Sequence, residues 1–181
     1  MRGLSSILGP RTLALALAMT PCAAMAAEPM CISKAEATSL IAYSLPQAIN
    51  GTAKRCAPSL PADAFLRTKG PGLAARYAAQ KDRYWPKAKP ALLKALNTQG
   101  GGGSANMMTG LPDDTLRQMA DVFVEGFVSQ RIAPKSCKQL DLAIDLLSPL
   151  PPENTAGLIA LSMDVAGSAD PKLGKVTLCK D

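Results

Sequence analysis

The chain has 181 residues and a formal net charge of +6, from 20 basic and 14 acidic side chains, and it contains no histidine. Ser-His-Asp chemistry is therefore excluded, and no phosphate-binding loop or other catalytic motif is recognisable, so the sequence does not favour an enzyme. Aromatic residues make up only 4% of the chain, which predicts a core of small and aliphatic side chains carried on helices.

Residues 1–26 are predicted to be a cleaved secretory signal peptide. Arg2 and Arg11 accompany an apolar run over residues 13–19, and a small-residue pattern at residues 24–26 marks the cleavage site. The apolar run is too short to cross about 30 Å of hydrocarbon, so a membrane-spanning helix is the weaker interpretation. We therefore expect a periplasmic or secreted protein whose mature part, residues 27–181, is a single helical domain.

Cysteine usage agrees with export. Cleavage removes Cys22 and leaves an even set of four cysteines: Cys31, Cys56, Cys137 and Cys179. A lipid anchor on Cys22 is the disfavoured alternative, because Pro21 precedes it. Three pairings of four cysteines are possible, and sequence alone does not choose among them. We favour Cys31 with Cys56 and Cys137 with Cys179, which would place one disulfide in each half. A zinc site is disfavoured because the chain has no histidine and no Cys-x-x-Cys spacing.

The first half of the mature chain shows three helical patterns. The first begins at Ser33, which forms a Ser-x-x-Glu capping box with Glu36, and runs to about Gly51 with one apolar stripe and a kink at Pro46. A short helix is predicted over residues 61–67. The pattern over residues 73–96 is expected to form two pieces, because prolines at positions 86 and 90 interrupt it.

The second half begins with a glycine-rich segment, residues 99–106, which is predicted to be a flexible loop or hinge. Helices are then predicted over residues 112–132, 136–147 and 152–163. The clearest of these has an apolar stripe that we expect to face the core: Leu116, Met119, Ala120, Phe123, Val124, Phe127 and Val128. No segment shows the sustained alternation of a strand. The predicted fold is all-α, a small orthogonal or bundle-like array of five to seven helices joined by two disulfides.

Charge changes sign along the mature chain. Residues 27–98 carry 11 basic and 4 acidic side chains, a net charge of +7, whereas residues 99–181 carry 7 basic and 10 acidic, a net charge of −3. The two halves could attract each other in one compact domain, which we favour, or each could face a different partner.

A basic and aromatic segment, residues 76–89, is the candidate surface contact. Its candidate residues are Arg76, Lys81, Arg83, Tyr84, Trp85, Lys87 and Lys89. Cations interleaved with aromatic rings suit anionic lipid headgroups or glycans, and therefore a peripheral contact with a membrane. Nucleic acid is not expected as a partner of an exported protein. The alternative, which the helical spacing favours, is that Tyr77, Tyr84 and Trp85 pack into the core while the lysines are solvated.

Three other groups of residues are candidate sites. Carboxylates at helical spacing, Asp121 with Glu125 and Asp141 with Asp145, could act as acid and base or hold a cation, but solvated helix faces are the favoured interpretation. The methionines at positions 107, 108 and 119 could line a flexible apolar groove for a protein partner, although ordinary packing in a loop is the commoner role.

These observations predict an exported, disulfide-stabilised helical binding protein that contacts a protein or an anionic envelope component. We assign it no catalytic residue, cofactor or metal, and the ligand and oligomeric state stay open. A small periplasmic hydrolase with an unrecognised site and a purely structural envelope protein are the alternatives. A concave site with convergent serine, lysine and carboxylate side chains would favour the hydrolase, and a groove lined by leucine and methionine would favour binding. A closed core without a groove would favour the structural protein.

Overall fold

The structure is a computed structural model, and it describes residues 31–100, 107–169 and 178–179. The predicted signal peptide, residues 1–26, lies outside the described residues. So do residues 101–106, which form most of the predicted glycine-rich loop, and residues 170–177 of the tail.

The described residues confirm the all-α prediction. Seven α-helices have bounds within them: α1 (Lys34–Cys56), α2 (Phe65–Thr68), α3 (Gly70–Ala78), α4 (Trp85–Gly100), α5 (Asp113–Arg131), α6 (Cys137–Leu147) and α7 (Pro152–Ala169). Short 3-10 turns connect them at Ala57–Ser59, Lys81–Arg83 and Pro134–Ser136. The β pairing found in the described part of the chain is one parallel bridge between Ile32 and Leu178. Among those helices, none has the length and apolar character needed to span a bilayer.

Helix α1 is central to the fold, because α3, α4, α5 and α7 all pack against it. Its side chains are buried on more than one side. Tyr43 joins a cluster with Trp85 and Leu116, whereas Leu45 and Ile49 belong to a second cluster. The single apolar stripe predicted for this helix was therefore too narrow a description of a helix with neighbours on several sides.

The start of α1 has the predicted capping box. The Glu36 amide donates to Ser33 Oγ at 3.2 Å, and the Ser33 amide donates to Glu36 Oε2 at 2.8 Å. Lys94 of α4 adds an ion pair to Glu36 at 2.8 Å. The helix then continues through the buried Pro46 as far as Cys56, past the end predicted at Gly51.

The pattern over residues 73–96 forms two helices, as expected, but the prolines do not separate them. The break falls between Ala78 and Trp85, at the turn Lys81–Arg83. Pro86 occupies the first turn of α4, where the absence of an amide hydrogen costs little, and Pro90 lies inside that helix. Helix α4 reaches Gly100, so the first two residues of the predicted loop are helical.

Four cysteines form two disulfides, as expected, but the pairing that we favoured was wrong. Cys56 bonds to Cys137 and Cys31 bonds to Cys179, with Cα–Cα distances of 5.4 and 5.0 Å. The end of α1 lies beside the start of α6, which brings the first pair together. The second pair follows from the bridge at Ile32, whose carbonyl accepts from the Cys179 amide at 3.0 Å. Each disulfide joins the two halves of the chain rather than lying within one.

Candidate interaction surface

The aromatic rings of the 76–89 segment lie mainly inside the protein. Trp85 is only 3% exposed, its ring centroid is 4.9 Å from that of Tyr43, and its Nε1 donates to Asp113 Oδ2 at 2.9 Å. Tyr77 is also buried, and its hydroxyl donates to the Leu150 carbonyl at 2.9 Å. The structure thus places the tryptophan of this segment in the core, which was the favoured interpretation.

Lys81 is held in an almost buried position between two halves of the chain. Its side chain is 13% exposed, and its Nζ lies 2.5 Å from Asp121 Oδ1 and 3.2 Å from Gln47 Oε1. The same ammonium lies 4.1 Å from the centre of the Tyr43 ring. Burial raises the pKa of Tyr43, and the negative charge of Asp121 raises it further. Lys81 is therefore engaged in contacts within the protein.

Other cations of the segment pair with acids that follow the glycine-rich segment. Arg83 lies 2.5 Å from Glu153, and Lys89 lies 2.6 Å from Asp113. The hydrogen bond from Lys89, followed by that from the Trp85 indole, lowers the pKa of Asp113. These contacts fit the first explanation of the charge asymmetry, in which opposite charges attract within the domain.

The remaining candidate residues of the segment are more exposed. Arg76 donates to the Ser148 carbonyl. The Tyr84 hydroxyl donates to Glu153 at 2.8 Å. Lys87 is exposed, and no partner for it is found in the described part of the chain. The segment consequently offers a partner few uncommitted groups.

The paired carboxylates have structural partners that the sequence did not reveal. Asp121 pairs with Lys81, and Glu125 lies 3.6 Å from Lys54. Asp141 accepts from the backbone amides of residues 65 and 66, at 3.3 and 2.7 Å, and so caps the start of α2. That cap comes from far along the chain, which explains why α2 begins at Phe65 and not at Pro61. Asp145 lines an open cleft of about 370 Å³ beside α2. Among the described residues, no group of three potential metal ligands is present.

A small apolar cavity of about 170 Å³ lies between α1, α3, α6 and α7. Aliphatic side chains form most of its wall, and three hydroxyl groups, those of Thr52, Tyr77 and Thr155, also line it. The Thr52 hydroxyl donates to the Ala48 carbonyl at 2.7 Å, and the Thr155 hydroxyl donates to the Pro151 carbonyl at 3.4 Å. Because the hydroxyl protons are used in backbone hydrogen bonds, the cavity offers mainly aliphatic contact.

A group of exposed apolar side chains lies on α5. Of the seven stripe residues expected to face the core, only Leu116 and Ala120 are buried. Four large side chains are instead exposed on this helix and form what we call the apolar face of α5: Met119, Val122, Phe123 and Phe127, with 43, 76, 53 and 42% exposure. The rings of Phe123 and Phe127 stack on each other at 5.7 Å. The helix was thus predicted correctly, but three of the seven stripe residues, Met119, Phe123 and Phe127, are exposed.

Exposed apolar side chains also occur on the last two helices. Leu142 and Leu146 are exposed on α6, and α7 exposes four more: Leu158, Leu161, Met163 and Val165. The predicted methionine groove is not formed as one lining, because Met107 is exposed whereas Met108 packs against the cluster around Trp85. Met119 belongs to the apolar face of α5.

A group of exposed cations adjoins the apolar face of α5 at the end where α1 and α5 terminate. We call this group the basic end: Lys54, Arg55, Arg131 and Lys135. Arg55 Nε donates to the Ile132 carbonyl at 3.1 Å, and the Arg131 guanidinium lies 4.5 Å from the centre of the Phe127 ring. The basic end and the apolar face of α5 are therefore continuous. Sequence reasoning missed this group because its members come from separate segments.

Comparison with known proteins does not assign the chain to a family. No family model matches it, and no curated protein or solved structure is significantly similar to it. The interpretation of function therefore depends on the surfaces of the molecule itself.

Proposed function

We propose that this chain is an exported binding protein, which acts in the periplasm or outside the cell by contacting a protein or a component of the cell envelope through the apolar face of α5. Two disulfides, Cys31–Cys179 and Cys56–Cys137, agree with folding in an oxidising compartment. The observation that carries the proposal is the set of four large apolar side chains exposed on α5, two of which are phenylalanines stacked on each other.

The size of this surface supports a binding role. A phenylalanine side chain presents roughly 200 Å², so Phe123 and Phe127 together leave on the order of 200 Å² in water. Covering that area would contribute about 5 kcal/mol before the costs of association. Single apolar residues scattered over a surface are ordinary, but several on one helix face mark an interaction site in many proteins.

The scaffold behind this face suits a site that must keep its shape. Glu125, on the same helix, has its backbone against Gly51 of the central helix. Lys81 pairs with Asp121, which lies one turn before Glu125 on the same side of α5. The helix is thereby held on α1 by contacts that do not use the apolar face, so the face is free to meet a partner. No catalytic residue, cofactor or metal is part of this proposal.

Site-directed photo-crosslinking tests the proposal. A benzophenone amino acid replaces Val122, the most exposed residue of the face, and as a matched control replaces Gln139, an exposed polar residue of α6. In cells that naturally make the protein, irradiation should give a discrete adduct from position 122 and none from position 139. Addition of Phe123→Asp should remove the adduct. Equal labelling from both positions, or labelling that survives Phe123→Asp, would overturn the proposed site.

A further inference from the structure

We infer that the apolar face of α5 and the basic end form one docking surface for an anionic lipid membrane. The inference rests on the proposed function and names the partner of the same site. The membrane contact is assigned to the apolar face of α5 together with the basic end. It is not assigned to the basic and aromatic segment at residues 76–89, because the tryptophan of that segment is in the core.

Three contacts bring the components of this surface together. The ideal position of a Cβ on Gly51 is 2.7 Å from the Glu125 carbonyl oxygen, so the last turns of α1 run close beside α5. Arg55 donates to the carbonyl of Ile132, immediately after α5. The Cys56–Cys137 disulfide then holds the turn that carries Lys135 beside the end of α1.

The charge of the basic end is largely uncompensated. Lys54 has Glu125 at 3.6 Å, but among the described residues no carboxylate forms an ion pair with Arg55, Arg131 or Lys135. Cations in the last turn of a helix also interact favourably with the helix dipole, so their presence alone would not indicate a ligand. The second observation is the stacked phenylalanine pair beside them, which a helix dipole does not explain.

The combination matches the chemistry of a lipid surface. Phe123 and Phe127 can enter the boundary between headgroups and acyl chains, while long basic side chains remain at the level of the phosphates. Arg131, which lies over the Phe127 ring, joins the two functions at one point. Each cation near an anionic surface contributes enough to change binding by about fivefold. The phosphates of a lipid surface can also pair with basic side chains from separate elements, and no groove of fixed shape is needed.

Vesicle co-sedimentation of the oxidised mature chain tests this inference. The probes are vesicles of phosphatidylcholine containing about a quarter phosphatidylglycerol, and vesicles of phosphatidylcholine alone. We expect salt-sensitive binding to the anionic vesicles and little binding to the neutral ones. Arg131→Gln with Lys135→Gln should weaken binding by roughly 25-fold, at about fivefold for each cation. Phe123→Ser with Phe127→Ser should weaken it at least as much.

The matched control removes the same charge elsewhere. Lys69→Gln with Lys87→Gln neutralises two exposed lysines outside the basic end and should change binding much less. Each variant is used only after its circular dichroism and thermal melt match those of the wild type. Absence of binding to anionic vesicles, equal binding to neutral vesicles, or an equal loss in the control would overturn the inference. If vesicles do not bind but position 122 still crosslinks to a protein, the lipid assignment fails while the proposed function stands; if neither occurs, both fail.

Discussion

At the residue scale, Gly51 sets the distance between α1 and α5. A Cβ at this position would lie 2.7 Å from the backbone oxygen of Glu125, and backbone atoms do not move aside cheaply. We expect Gly51→Ala to lower the free energy of unfolding by about 1 to 3 kcal/mol, because the two helices must separate. Urea unfolding followed by circular dichroism measures the change.

Gly126 of α5 provides the matched control for that substitution. No atom lies within 4 Å of a Cβ built there, so Gly126→Ala should gain the usual helix propensity of alanine, about 0.5 to 1 kcal/mol. Opposite signs for the two Gly→Ala changes are expected. A stabilising Gly51→Ala would show that α1 and α5 are not in the close contact described.

Lys81 is the second residue for which a large effect is expected. Lys81→Met keeps much of the side-chain volume but leaves Asp121 without its ion pair and removes the cation from the Tyr43 ring. Because the site is mostly but not wholly buried, a loss of about 1 to 3 kcal/mol is expected. Lys87→Met, at an exposed position, should change stability by less than about 0.5 kcal/mol. Similar small effects from both substitutions would mean that Lys81 is solvated.

At the scale of the elements, the start of α1 should respond to acid. Burial raises the pKa of Glu36, but hydrogen bonds from Lys94 and Ser33 outweigh it, and the net pKa is lowered. A carboxyl whose pKa is lowered in the folded state stabilises the protein at pH values above its unfolded-state pKa, which is near 4.3. This stabilisation is lost as the pH falls through the folded-state pKa.

Urea unfolding at a series of pH values below about 5 tests this effect. The free energy of unfolding of the wild type should fall more steeply with acid than that of Glu36→Gln, which has no carboxyl to protonate at this position. At neutral pH the variant should be the less stable of the two, because it loses the ion pair with Lys94. Parallel pH profiles would contradict the lowered pKa.

Local signals predicted helix starts better than helix ends. The capping box at Ser33 and the prolines at the starts of α5 and α7 act within one turn, and the structure confirms all three starts to within a residue. Gly51 looked like a stop signal, but it lies within α1 because close packing against α5 requires a residue without a side chain. The start of α2 was predicted wrongly because its cap, Asp141, is distant in the sequence.

For the candidate surface, too, the sequence predicted the local feature but not the packing around it. Helical periodicity identified α5 and predicted its apolar stripe, but periodicity does not tell which part of a stripe a neighbour covers. Leu116 and Ala120 meet α1 and α4, whereas Phe123 and Phe127 do not become buried. The basic end was not predictable because it depends on how α1, α5 and the following turn come together in space.

At the scale of the whole molecule, the disulfides join elements distant in sequence. In the chain-entropy model, a loop closed over a separation of 81 residues, as between Cys56 and Cys137, contributes about 4 to 5 kcal/mol. Replacement of both cysteines by alanine should therefore lower the thermal midpoint strongly in calorimetry. Peptide mapping without reduction gives the control for the pairing, and a Cys31–Cys56 peptide would contradict the fold.

The most direct test of the account uses the emission of Trp85, the only tryptophan in the chain. The central claim is that the basic and aromatic segment carrying Trp85 packs internally and that the contact surface lies elsewhere, on α5. We expect emission at the blue end of the tryptophan range and weak quenching by iodide, both unchanged when anionic vesicles are added. Strong quenching in the native protein, or a blue shift on addition of vesicles, would place Trp85 at the contact surface and contradict the account.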